Sequence, residues 1–199
     1  MRRGISVLLT VILMMIPVAC KTDVNRKIHQ RYANLKSYTA RVRVSVNGNK
    51  GTEVYELSQS FCAPDRYRTE VISPKRMEGT VNVIAGGSMW YRSAGTPAIR
   101  MEQGFFQEGR DYLFLHDFLE EYFKESTAPL TENEEGLVLL AAPVRGDQAY
   151  RFTQNLWIDA KSNLPRTLVT YDEKGNEMLR VEYEDFVVNP ALSDSVFEP

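Results

Sequence analysis

From Tyr150 to Phe186 the chain alternates apolar and polar positions through three runs separated by two turn clusters. A period of two marks strands that bury one face and wet the other. The first run places Tyr150, Phe152, Leu156 and Ile158 on one face and ends at Asp159 with Ala160-Lys161-Ser162-Asn163. The second carries Thr167, Val169 and Tyr171 and stops at Asp172-Glu173-Lys174-Gly175, where glycine admits the left-handed turn of a hairpin. In the third, Leu179, Val181 and Tyr183 alternate with Arg180, Glu182 and Glu184. Three antiparallel strands covering a core on one side are predicted.

Upstream, Val24, Ile28, Tyr32 and Leu35 are spaced for a short amphipathic helix with Asp23 at its cap. Tyr38 to Val46 then alternates without a fault, Asn47 to Gly51 is a turn, and Val54 to Phe61 returns as the second arm of a hairpin. Further strands are predicted over Arg66–Ile72, Met77–Ala85 and Met89–Tyr91, the last two joined by Gly86-Gly87, with Ile99–Phe106 divided between a short strand and a loop. Asp111 to Lys124 predicts a second helix, because Leu115, Phe118, Leu119 and Tyr122 form one stripe that Phe114 and Phe123 widen. So broad an apolar surface needs a sheet to cover it. Leu137 to Ala142 adds a strand before the closing meander. The order shows no βαβ alternation, so the fold class is α+β: a curved antiparallel sheet around two helices, in one domain over residues 24–199.

The first residues have a different character. Arg2-Arg3, the apolar run Ile5–Ile16 and small Ala19 before Cys20 compose a secretory signal over residues 1–19. The run is shorter than the roughly 20 residues of a membrane span. Val18-Ala19-Cys20 resembles a bacterial lipobox, in which the Cys thiol takes diacylglycerol, although Pro17 stands where that pattern usually has Leu. Residues 20–23 then form the acylated Cys and a short tether, and the protein is expected on the outer face of the cytoplasmic membrane. Removing Arg2 and Arg3 with the signal takes the formal charge from −2 to −4.

Charge and chemistry mostly exclude. No basic stripe interleaved with aromatics points to nucleic acid. Cys62 has no disulfide partner once Cys20 is acylated and reads as a small buried hydrophobe; His29 and His116 lack a second ligand at metal spacing, so no metal or cofactor is expected. Glu120-Glu121, Glu134-Glu135 and Glu182/Glu184/Asp185 read as solvated faces, and no Gly-x-Ser-x-Gly or phosphate-binding loop is present. An enzyme is not expected.

The order of elements, the segment Val81-Asn82-Val83-Ile84-Ala85-Gly86-Gly87-Ser88-Met89-Trp90-Tyr91, the run from Leu156-Trp157-Ile158-Asp159 to Phe186, and the ending Leu192–Pro199 resemble LolA-like proteins. That resemblance implies an unclosed antiparallel half-barrel around helices, whose concave apolar surface carries acyl chains in some members and binds protein partners in others. With the lipoprotein signal, the helix Tyr112–Lys124 and the phrase Val169-Thr170-Tyr171-Asp172-Glu173-Lys174-Gly175-Asn176-Glu177, the chain most resembles the GerS spore-germination lipoproteins of clostridia. This second resemblance implies a non-catalytic protein that supports a CwlD-type N-acetylmuramoyl-L-alanine amidase in making muramic-δ-lactam in spore peptidoglycan. A LolA- or LolB-like carrier or acceptor of lipoprotein acyl chains is the alternative, and a homo-oligomer stays open. Trp90, Tyr91, Phe114, Phe118 and Tyr122 are the expected apolar lining of the concave face. A carrier would keep a cavity on the order of several hundred cubic ångströms there, whereas a binding module would fill it.

Overall fold

A computed structural model describes residues 18–101, 112–125, 130–144 and 152–198; the side chains of 18–25, 125 and 131 are not described. Helix α1 spans Val18–Ala33. Strands β1 (Ser37–Gly48), β2 (Gly51–Cys62), β3 (Arg66–Ser73), β4 (Val81–Ala85), β5 (Ser88–Arg92) and β6 (Ile99–Met101) follow. Helix α2 (Leu115–Glu125) separates them from β7 (Thr131–Glu132), β8 (Leu137–Pro143), β9 (Thr153–Asp159), β10 (Pro165–Tyr171) and β11 (Glu177–Val188). Among the described residues these eleven strands make one antiparallel sheet in the order β6-β5-β4-β3-β2-β1-β11-β10-β9-β8-β7. Its ends, β6 and β7, do not pair with each other, so the half-barrel is unclosed, as expected.

The first and last long strands meet at the centre. β1 pairs β2 over its whole length from Ser37↔Cys62 to Gly48↔Gly51, and pairs β11 on its other side. Tyr38, Val42 and Val44 of β1 face the interior with Val181 and Tyr183 of β11. A bulge lies opposite Ala40, where Asp185 takes φ 48, and it turns Phe186 inward where strict alternation from Tyr183 would have chosen Asp185. Phe186 then stacks on Tyr38 with ring centroids 5.1 Å apart.

Other departures also have local causes. α1 begins at Val18, six residues before the expected start, because neither Gly nor Pro interrupts Val18–Asp23; Asp23 is inside the helix and not at its cap. The expected strand Met77–Ala85 is shortened at its start: a 3-10 turn at Lys75–Met77 and Gly79 at φ 77 occupy that length, and β4 begins at Val81. In β10 a register shift between Pro165 and Thr167 reverses the faces, so Leu168 and Thr170 point inward opposite Leu156 and Gln154, and Thr167, Val169 and Tyr171 point outward. Phe152 lies just before β9 with its ring 5.9 Å from that of Tyr112. Asp111, Tyr150 and residues 102–106 lie outside the described residues.

The turns are built as their sequences predict. Gly86 and Gly87 both take positive φ, 55° and 74°, and Gly175 takes 81°. Asp159 Oδ1 accepts hydrogen bonds from the backbone N–H groups of Lys161 and Ser162 and from the Ser162 hydroxyl, and these donors hold its carboxyl below the ordinary carboxylate range. A carboxyl depressed in the folded state stabilises above its unfolded pKa of about 3.9, and that contribution is lost as pH falls through the lower folded value. Asp159→Asn, which keeps an acceptor but cannot titrate, is therefore expected to flatten the acid limb of a stability-against-pH curve below about pH 4. Urea unfolding across that range checks it.

Candidate functional site

The concave face is where the LolA-like expectation puts function, and α2 occupies it. Leu115, Phe118, Leu119 and Tyr122 follow the i, i+3, i+4, i+7 spacing, and each is at most 2% exposed. Phe118 and Tyr122 stack at 6.1 Å, and His29 of α1 meets the rings of Tyr122 and Phe123 at 6.0 and 5.6 Å. Ile28, Tyr32 and Leu35 complete the layer beneath the sheet. Against these helices lie Val42, Val44, Phe61, Val138, Leu140, Leu156, Ile158 and Leu168.

The expected lining divides on this geometry. Phe114, Phe118 and Tyr122 are brought together in the interior as core. Tyr91 shares a sheet face with Met89, which pairs with core-facing Ile84, and its hydroxyl accepts a hydrogen bond from Ser93. Trp90 is a correction: it packs with Val81, Val83 and Phe197 on the opposite, convex face. Adjacent strand residues point to opposite faces, so Trp90 and Tyr91 cannot line the same surface.

Buried polar side chains fix where α2 begins. Gln59 Nε2 donates to the Leu113 carbonyl at 3.2 Å, and Gln154 Nε2 donates to the Tyr112 carbonyl at 3.3 Å and to Thr170 Oγ1 at 3.0 Å. The Tyr38 hydroxyl donates to Gln59 Oε1 and accepts from the Leu115 N–H, one of the amides a helix start leaves without a partner. Tyr67 OH donates to Asp117 Oδ1 at 3.2 Å. Burial pushes the Tyr38 phenol far above its usual pKa, so it stays a donor at any physiological pH. Four strands thus hold one helix start by side chains, which is a fixed attachment and not a sliding lid. Gln59→Leu removes both a donor and an acceptor and leaves the part-buried Leu113 carbonyl without its Gln59 donor. The expected loss is about 1 to 3 kcal/mol, read by chemical denaturation.

His116 stacks on Phe61 at 4.1 Å, and its Nε2 lies 3.6 Å from Glu120 Oε1. Among the described residues no three metal-ligating groups come together.

The convex face carries a second built feature. Asn189, at φ 52, accepts from the backbone N–H groups of Lys36 and Ser37 and turns the chain over the end of β1. The chain then crosses the sheet and seats Leu192, Val196 and Phe197 on Val81, Val83, Ala85, Cys62 and Trp90. Arg66 holds this strap twice, by an ion pair to Asp194 and with its guanidinium 5.0 Å from the centre of the Phe197 ring. Its other nitrogen donates to Cys62 Sγ at 3.0 Å, so the half-buried thiol lies under the strap. Arg66→Ala is expected to raise the rate of Cys62 alkylation several-fold without a large change in stability, because a pair with one exposed partner contributes at most about 1 kcal/mol. Thiol titration under native conditions reads it.

With this geometry in hand, likeness to known proteins is informative. Residues 102–197 match the family of YdcC-like sporulation proteins. Comparison with curated protein sequences gives no match. The fold is similar to an outer membrane lipoprotein-sorting protein domain from Vibrio parahaemolyticus, with TM-score 0.50 and 11% identity over 88% of this chain and 94% of that one. It is similar to the GerS lipoprotein of Clostridioides difficile, seen in complex with the CwlD amidase, with TM-score 0.50 and 24% identity over 87% of this chain and 99% of that one. An uncharacterized conserved protein from Thermus thermophilus gives TM-score 0.51 at 16% identity over 88% and 91% of the two chains. An open antiparallel sheet wrapped around two helices, matched along almost their whole length by a lipoprotein-sorting domain and by GerS, gives this chain the LolA-like fold.

Proposed function

We propose that this chain is a non-catalytic, lipid-anchored protein that binds and supports a cortex-modifying cell-wall amidase of the CwlD type, as GerS binds CwlD, in the service of spore germination. The observation that carries the reading is the occupied concavity. Phe114, Phe118 and Tyr122, three of the five aromatic side chains expected to line an acyl-chain groove, are core, and Phe118 and Tyr122 are 1% and 2% exposed. A protein with its interior so filled has its outer surfaces left for recognition. The match to a sporulation family and the likeness to a GerS seen with its amidase supply the class of partner. Cys20, in the first turn of α1, is the acyl attachment site. Anchoring to a bilayer through acyl chains contributes about 0.8 kcal/mol per buried methylene.

The test is a pull-down of the chain from Lys21 to Pro199 from sporulating cells, with mass spectrometry of protein and extracted lipid together. A stoichiometric cell-wall amidase without acyl chains is the expected result, and acyl chains without a protein partner would overturn it. Anchoring is tested separately: incorporation of labelled palmitate into the full chain is expected to disappear in Cys20→Ser.

A further inference from the structure

The distribution of charge singles out α1. Between Val18 and Lys36 the chain carries Lys21, Arg26, Lys27, Arg31 and Lys36 against one acid, Asp23, whereas the whole chain is −2, so everything after Lys36 is net acidic. The helix buries Ile28 and Tyr32 against the interior, and Arg26 and Lys27 are exposed, with Arg26 turned almost directly away from Ile28. Arg31 reaches the Ser162 and Asn163 carbonyls and ties this end of α1 to the β9–β10 turn, where Lys161 and Arg166 are also exposed. The nearby acids are Asp159, whose Oδ1 takes three hydrogen bonds from the turn, Glu134 and Glu135 of the β7–β8 turn, and Glu120 and Glu121 of α2. They stand on neighbouring elements; α1 itself carries the acid Asp23 one turn before Arg26 and Lys27, and with Lys21, Arg26, Lys27 and Arg31 the helix is still net positive.

We propose that the outward side of α1 is a docking surface for anionic lipid headgroups, and that it sets the orientation of the domain on the membrane. Cys20 is on the same helix, so at 1.5 Å per residue Arg26 to Arg31 follow it by roughly 9 to 17 Å of continuous helix. A lipid on Cys20 and a row of cations behind it would meet one bilayer surface together, the pairing of acyl chain with basic patch that makes peripheral anchoring firm. The acidic remainder is repelled by the same surface. α1 lies on the concave side of the sheet, so this orientation turns the convex face and its strap away from the bilayer, toward a partner.

The orientation rests on the Cys20 anchor proposed above; the headgroup binding does not, and the experiment separates them. The unacylated chain from Lys21 to Pro199 begins inside α1 and contains every buried residue described, and it is sedimented with vesicles of phosphatidylcholine alone and of phosphatidylcholine with phosphatidylglycerol. Binding is expected only to the second, and it should fall as ionic strength rises from about 0.01 to about 0.15 M and the screening length shortens from about 30 to about 8 Å. Arg26→Glu with Lys27→Glu should weaken it by more than about tenfold, since each cation near an anionic surface is worth about fivefold. Lys50→Glu with Lys174→Glu makes the same change of net charge on the distant hairpin turns and should leave binding within about twofold. Equal binding to both vesicles, or none to either, overturns the proposal on the native sequence alone. Equal losses from the two double variants also overturn it, since net charge and not α1 would then be responsible. Palmitate labelling of Cys20→Ser tests the anchor without reference to any headgroup.

Discussion

Phe118→Ala is expected to lower the free energy of unfolding by about 3 to 5 kcal/mol, among the largest effects available in this chain. Phe118 is 1% exposed, stacks on Tyr122, and sits between α2 and the sheet strands that carry Leu140, Leu156 and Leu168. Removing the ring leaves a cavity that this neighbourhood cannot close, because α2 is pinned at its start by Gln59, Gln154 and Tyr38. The helix cannot settle into the void without breaking buried hydrogen bonds. A carrier makes the opposite prediction: a groove-lining phenylalanine costs little when truncated, and its loss shows in acyl-chain affinity. Denaturant unfolding of the variant distinguishes the two, with the midpoint reporting stability and the slope reporting whether the interior has loosened.

Phe197→Ala is the second large effect, expected near the lower end of the same range, about 3 kcal/mol. Phe197 is 5% exposed although it lies two residues from the end of the chain. It closes a satellite core that Val81, Val83 and Trp90 cannot form alone, since all three project from the convex face of a single sheet layer. The ring also gives the Arg66 guanidinium its partner surface. Loss of the strap should therefore expose Trp90 and Cys62 together. A red shift of tryptophan emission accompanied by faster Cys62 alkylation, in protein that is still folded, is the expected signature. Lower stability with Cys62 protected as before would mean that the strap had not moved.

Much of the architecture could be read from alternation and spacing. Tyr38, Ala40, Val42 and Val44 alternate because β1 is the central strand, and the four-residue stripe of α2 is as broad as the concave surface that receives it. Sequence pattern was weakest where the chain breaks its own period. The bulge at Asp185 shifts Phe186 inward by one residue, and the shift before Thr167 turns the whole outward face of β10. A residue count cannot show an extra residue that leaves the ladder. The candidate lining failed at Trp90 for a simpler reason: its neighbour Tyr91 must face the other way, and strand geometry alone decides this.

The polar anchors of α2 were missed because Gln59, Gln154 and Thr170 stand in core-facing positions of otherwise apolar runs. A single Gln in such a run looks like an interruption. Its role depends on a carbonyl that approaches from a helix more than forty residues away along the chain, and no local signal carries that distance. The cue available in the sequence was the repetition: polar residues in the inward register of β2 and β9 imply a shared buried partner, since such groups are seldom left without hydrogen bonds. The outward cations of α1 were visible from the start as composition, but only the packing of Ile28 and Tyr32 shows which side they occupy.

The central claim is that the interior is filled and that recognition takes place on the outside. Its most direct test is a pair of calorimetric titrations of the purified chain, one with a CwlD-type amidase and one with a long-chain fatty acid. The account predicts a saturable complex of fixed stoichiometry with the amidase and no saturable heat from the fatty acid. Saturable acyl binding that Phe118→Ala weakens, with no complex with the amidase, would contradict it.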